Sequence, residues 1–72
     1  MNALDIHYEL RRSGTSQAQI ARSLNVSPAA VRRVLTGESA SRRIAGAVSA
    51  AIGKSPAEIW PGRYDRDLRR AA

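Results

Sequence analysis

The sequence predicts an all-α fold, a compact bundle of five short helices, and three observations carry that expectation. Apolar residues recur at three- and four-residue spacing in successive segments. Most of those segments open on Ser or Ser-Pro and close on Gly or Asn, the punctuation of helix ends. Strand signals are missing, since no alternating Val/Ile/Thr run exceeds a few residues and no Asn-Gly or Asp-Gly pair marks a hairpin.

The first helix is expected from about Ala3 to Ser13, stacking Ile6 on Leu10 with Leu4 and Tyr8 on the adjoining strip, and Gly14 stops it. Ser16 opens the second, about residues 16–24, in a capping box with Gln19, and Ile20, Ala21 and Leu24 form its buried stripe. Asn25 ends it, because Asn tolerates the left-handed backbone of a tight turn, and Val26 tucks beneath. Ser27 caps the third helix, about residues 28–36, and Pro28 takes its first position, where a missing N–H costs nothing. Val31, Val34 and Leu35 share one face, while Ala29, Arg32, Arg33 and Thr36 share the opposite one. Gly37 ends this helix, and Ser39 or Ser41 caps a fourth that reaches about Ile52. Its stripe is Ile44, Ala45, Val48, Ala51 and Ile52, with Gly53 as the stop. Ser55-Pro56-Ala57-Glu58 opens a short fifth helix that Pro61 ends. Residues 1–65 thus read as one domain and residues 66–72 as a C-terminal tail, helical or frayed.

Length and charge restrict what such a bundle can do. Its 72 residues hold one small domain with a small core and leave no room for an effector-binding domain, so no small-molecule ligand is expected. Without cysteine and with His7 as the lone histidine, neither disulfides nor structural zinc nor any other metal or cofactor is expected. The apolar stretch from Ile44 to Ile52 is far short of the roughly 20 residues of a membrane span. Asp5 and Glu9 interrupt any leader-like start, which makes the cytoplasm the expected compartment. The net charge is +6, and between Arg11 and Lys54 eight basic residues face one acidic residue, Glu38. Such a field attracts polyanions, nucleic acid first among them.

The second and third helices with their short turn match a helix-turn-helix. Counting from Gln17, apolar residues are required where Ile20, Leu24, Val26, Val31 and Val34 stand, and a small one at Ala21, where the helices touch. In that motif the third helix enters the major groove with its N-terminal residues and outer face against base edges. Ser27, Ala29, Ala30, Arg32, Arg33 and Thr36 are therefore the candidate base readers. Arg32 or Arg33 can grip guanine O6 and N7 with two hydrogen bonds, and the alanines permit close approach and offer methyl contacts to thymine. Phosphate contacts are expected at helix starts, from Ser16 and Gln17 and from Ser39, Ser41, Arg42 and Arg43, with Arg22 and Lys54 as weaker candidates. Ser16 and Gln17 also have a sufficient role as cap and first-turn residue.

Asp5-Ile6, Leu10-Arg11-Arg12, the helix-turn-helix from Gln17 to Leu35 and above all Ile59-Trp60-Pro61-Gly62-Arg63-Tyr64 resemble the Ner-like regulators of Mu-type transposable phages and their bacterial relatives. The resemblance implies a lambda-repressor-like five-helix domain acting as a transcriptional regulator, in phages a negative regulator of early genes. It departs in helix one, where members tend to carry a Trp and this chain reads Ala3-Leu4.

Trp60 is the expected core anchor, which with only Tyr8 and Tyr64 as further aromatics disfavours stacking on unpaired bases. His7, without an evident partner, reads as a surface residue, and Arg63 and Tyr64 as either a lock on the C-terminal segment or part of a dimer surface. The expected partner is double-stranded DNA, bound by a monomer or weak homodimer that pairs on DNA. The competing reading is an antitoxin-like or adaptor module whose basic face meets an acidic protein. An enzyme is the poorest reading, since the carboxylates are scattered and no nucleophile and base are paired.

Overall fold

A computed structural model describes residues 1–64 of the chain. Within them lie α1 (Ala3–Arg12), α2 (Gln17–Leu24), α3 (Pro28–Thr36), α4 (Arg42–Ile52) and α5 (Pro56–Ile59), with no strand among the described residues. The tail expected at residues 66–72, and Asp65 before it, lie outside the described residues.

Every helix begins on an extended residue whose side chain accepts a backbone N–H three positions on: Asn2, Ser16, Ser27, Ser41 and Ser55. Each such cap contributes about 1 kcal/mol, a large sum for so small a domain. Ser41 rather than Ser39 caps α4. At Ser16 only half of the expected box forms, the Gln19 N–H donating to Ser16 Oγ at 3.2 Å. The complete reciprocal box is at Ser55 and Glu58, where the charged carboxylate accepts the backbone N–H of the cap at 3.2 Å.

Helix ends follow the same economy. Asn25 stands at φ 59°, ψ 44°, and beyond it the Val26 N–H donates to Ala21 O at 2.9 Å while Asn25 N–H donates to Arg22 O at 3.2 Å. These two bonds satisfy carbonyls that a helix end otherwise leaves open, and they turn the chain sharply into α3. Gly37, at φ 88°, does the same for α3.

The core gathers Ile6, Leu10, Ile20, Ala21, Val31, Val34, Leu35, Ile44, Ala45, Val48, Ile59, Trp60 and Tyr64. α4 lies centrally and packs against each of the other helices, and α2 pairs most closely with α3. Trp60 is the expected anchor, 6% exposed. Its indole Nε1 is buried without an acceptor among the described residues. The adjoining strip of α1 is not part of this core: Leu4 is 75% and Tyr8 61% exposed. Residues two apart on a helix point about 200° apart, so once Ile6 and Leu10 face inward these two must face out. Arg12 covers part of Tyr8, its guanidinium 5.8 Å from the ring centre and 3.4 Å from Glu9.

Candidate nucleic-acid interface

Two short helices set at an angle by a three-residue turn form the site. α2 buries Ile20 and Ala21, and α3 buries Val31, Val34 and Leu35 against them. Ala21, 1% exposed, has the small side chain that lets the helices approach. Helical periodicity then leaves Ser27, Ala29, Arg32, Arg33 and Thr36 exposed on the outer side of α3, as expected. Ala30 is half-buried and packs on the core, so much of its methyl group serves packing.

The starts of the two helices come together. Gln17, Pro28, Ala29 and Arg32 line one shallow concavity, so a first-turn residue of α2 and a central residue of α3 face the same ligand space. Gln17 is also oriented from behind, its Nε2 lying 3.2 Å from His7 Nδ1 and donating to that nitrogen when it carries no proton. His7 is therefore not the partnerless surface residue expected; it is half-buried and links α1 to the start of α2.

A family model described as winged helix-turn-helix DNA-binding matches residues 1–72. The chain belongs to that family. No curated protein and no solved structure matches it.

In this helix-turn-helix DNA-binding domain the other candidates divide by the work they already do. Ser16 Oγ and Ser41 Oγ accept the backbone N–H groups of Gln19 and Ile44, and Ser27 Oγ accepts that of Ala30 at 3.1 Å. Thr36 Oγ1 turns back to its own helix, 3.1 Å from Arg33 O and 3.3 Å from Glu38 Oε2. Arg43 spans from α4 to the turn, donating to Leu24 O at 2.6 Å, and so fastens the end of α2. Arg22, Ser39 and Arg42 are exposed around the same pair of helices.

Charge is segregated over the described surface. Asp5, Glu9 and Glu58 gather with Lys54 around a shallow concavity between α1 and α5. The Glu58 carboxyl is held below the ordinary glutamate range, chiefly because it accepts the Ser55 backbone N–H and hydroxyl. Arg22, Arg32, Arg33, Arg42 and Arg43 belong to α2, α3 and α4, which carry no acid, and Glu38 in the loop between α3 and α4 accepts from the Thr36 hydroxyl.

Two connections to the helix-turn-helix escaped the sequence patterns. Arg63 donates to Gly37 O at 2.8 Å, and Tyr64 Oη accepts from the Ser41 N–H at 3.3 Å. These two bonds tie the C-terminal segment to the loop after α3, the lock that is one of the two roles open to this pair. Its signal is faint, a Pro61-Gly62 turn with Gly62 at φ 83° that sends the chain back towards α3.

Proposed function

We propose that the chain is a sequence-specific, double-stranded DNA-binding transcriptional regulator, a Ner-like repressor that lays α3 in the major groove. The carrying observation is the outer face of α3, which presents Ser27, Ala29, Arg32, Arg33 and Thr36 while the opposite face is sealed in the core. Arg32 and Arg33 read base edges, Ala29 and Ala30 let the helix approach and meet thymine methyl groups, and Ser27 and Thr36 add shorter polar contacts. Ser16, Gln17, Arg22, Ser39, Ser41, Arg42 and Arg43 hold the backbone, in part through the helix N–H groups they border. Arg43 keeps several donors after serving Leu24, because a guanidinium carries five. One α3 reads only a few base pairs, so two copies, monomeric or weakly paired in solution, occupy neighbouring half-sites.

Selection of bound duplexes from a random pool supplies the test. A defined motif should emerge, and Arg32→Ala with Arg33→Ala should erase its preference over scrambled duplex by about 1–3 kcal/mol per lost bidentate contact while leaving the melting curve nearly unchanged. Undiminished preference in the double variant sinks the assignment. Weak, salt-sensitive binding without any motif would instead favour a protein-interaction module. Sedimentation that finds a tight dimer without DNA overturns the pairing scheme.

A further inference from the structure

Arg63 and Tyr64 stand beyond α5, yet both reach back more than twenty residues to the loop between α3 and α4. Tyr64 is a fixed post: 4% exposed, its ring edge-on to Trp60 at 5.4 Å and 66°, its hydroxyl on the Ser41 N–H. Arg63 beside it is exposed and lies across Gly37, close enough that a Cβ there would stand 3.6 Å from its terminal nitrogen. The described bond to Gly37 O uses one of five guanidinium donors. A carbonyl oxygen orients that guanidinium without neutralising it, and Arg42 and Arg43 follow Ser41 in the chain at the start of α4. Ser39 and Ser41 supply small hydroxyl groups in the same loop, and the Glu38 carboxylate is turned to Thr36, whose hydroxyl donates to it at 3.3 Å. The exit of α3 thus presents an exposed guanidinium that is held in place and keeps donors to spare, the arrangement that binds an anionic oxygen by charge-assisted hydrogen bonds.

We propose that Arg63 is a further DNA-binding residue, holding a backbone phosphate at the exit of α3 with the donors that Gly37 leaves over. Tyr64 is the positioning residue that keeps the loop and Arg63 in register. This rests on the reading of α3 as the groove-bound helix. It adds a contact from the C-terminal end of the described chain to a surface otherwise built from α2, α3 and the start of α4.

The experiment measures the affinity of the full chain for its selected duplex across a fourfold rise in salt, for wild type, Arg63→Gln, Arg63→Lys and Tyr64→Phe. Each phosphate neutralised contributes about 0.9 to the slope of log K against log salt, so Arg63→Gln should lose about 3.5-fold less affinity than wild type over that range. Arg63→Lys keeps the charge and should restore the wild-type slope. Tyr64→Phe loosens the loop without altering charge, so its affinity should fall at an unchanged slope. An Arg63→Gln variant that weakens binding with the wild-type slope, as Tyr64→Phe does, makes Arg63 a loop brace and overturns the proposal. Should Arg63→Gln melt below the assay temperature, Arg63→Met, which keeps the apolar stem without the charge, is measured below its own melting point, and a wild-type slope in it overturns the proposal. If wild type itself shows no motif, the reading of α3 has failed; if wild type discriminates and the Arg63→Gln slope equals that of wild type, this inference alone has failed.

Discussion

Asn25 offers the sharpest test of how the helix-turn-helix is held. It is the one non-glycine residue at positive φ among the described residues, at 59°, and the two turn bonds from Asn25 N–H and Val26 N–H depend on that conformation. A left-handed backbone costs an ordinary L-residue roughly 1–2 kcal/mol, a cost that Asn partly escapes and Ala does not. Asn25→Ala should therefore lose about 1 kcal/mol. Asn25→Gly removes the strain but enlarges the unfolded ensemble, worth about 0.4–1 kcal/mol in the other direction, and should come out near wild type. In a domain of this size 1 kcal/mol moves the midpoint by about 4–8 °C. Thermal melts followed by far-ultraviolet circular dichroism should thus place Ala clearly below wild type and Gly beside it. If the Ala and Gly variants melt together, the turn is not held by left-handed geometry and its bonds are incidental.

Leu10→Ala empties a fully buried site at a cost of about 2–5 kcal/mol, against roughly 4–11 kcal/mol expected for a chain of this length, so a denaturant titration should find it largely destabilised. Leu4→Lys, on a side chain 75% exposed, should shift stability by no more than about 0.5 kcal/mol in the same titration. Glu58 is held below its ordinary range, so its contribution is present above the unfolded value near pH 4.3 and lost as acid takes pH through the folded value. Melting temperature plotted against pH should accordingly drop less steeply on the acid side for Glu58→Gln than for wild type.

Helix order and the buried stripes were legible because each rests on local rules. Ser27-Pro28 can hardly do anything but begin a helix, and Val31, Val34 and Leu35 can share only one face. Legibility failed where a side chain met a partner distant in sequence. His7 and Gln17, Arg43 and Leu24, and Arg63 and Gly37 are joined by no periodicity, and each pairing exists only after α1, α4 and the C-terminal segment have packed. Leu4 and Tyr8 misled for a different reason: hydrophobic identity outweighed the angle that separates them from Ile6. Basic residues were visible by count, yet count alone could not separate Arg32 on the outer face of α3 from Arg43, one nitrogen of which already serves a carbonyl.

So small a domain makes the outer face of α3 rigid through its neighbours. α3 has nine residues, about the length at which an isolated helix is unstable in water, so its order comes from what flanks it. Its buried face supplies Val31, Val34 and Leu35; its start is held by Ser27 and, through Leu24, by Arg43; its exit is held by Gly37 and Arg63. If only the fraction of molecules with α3 in place can enter the groove, the observed dissociation constant rises as the inverse of that fraction. Loosening either guanidinium therefore weakens binding even where no base or phosphate contact is touched. On the proposed reading, arginines in this chain would act on DNA in two separable ways, through their charge, which salt reveals, and through the geometry they enforce on α3, which salt does not.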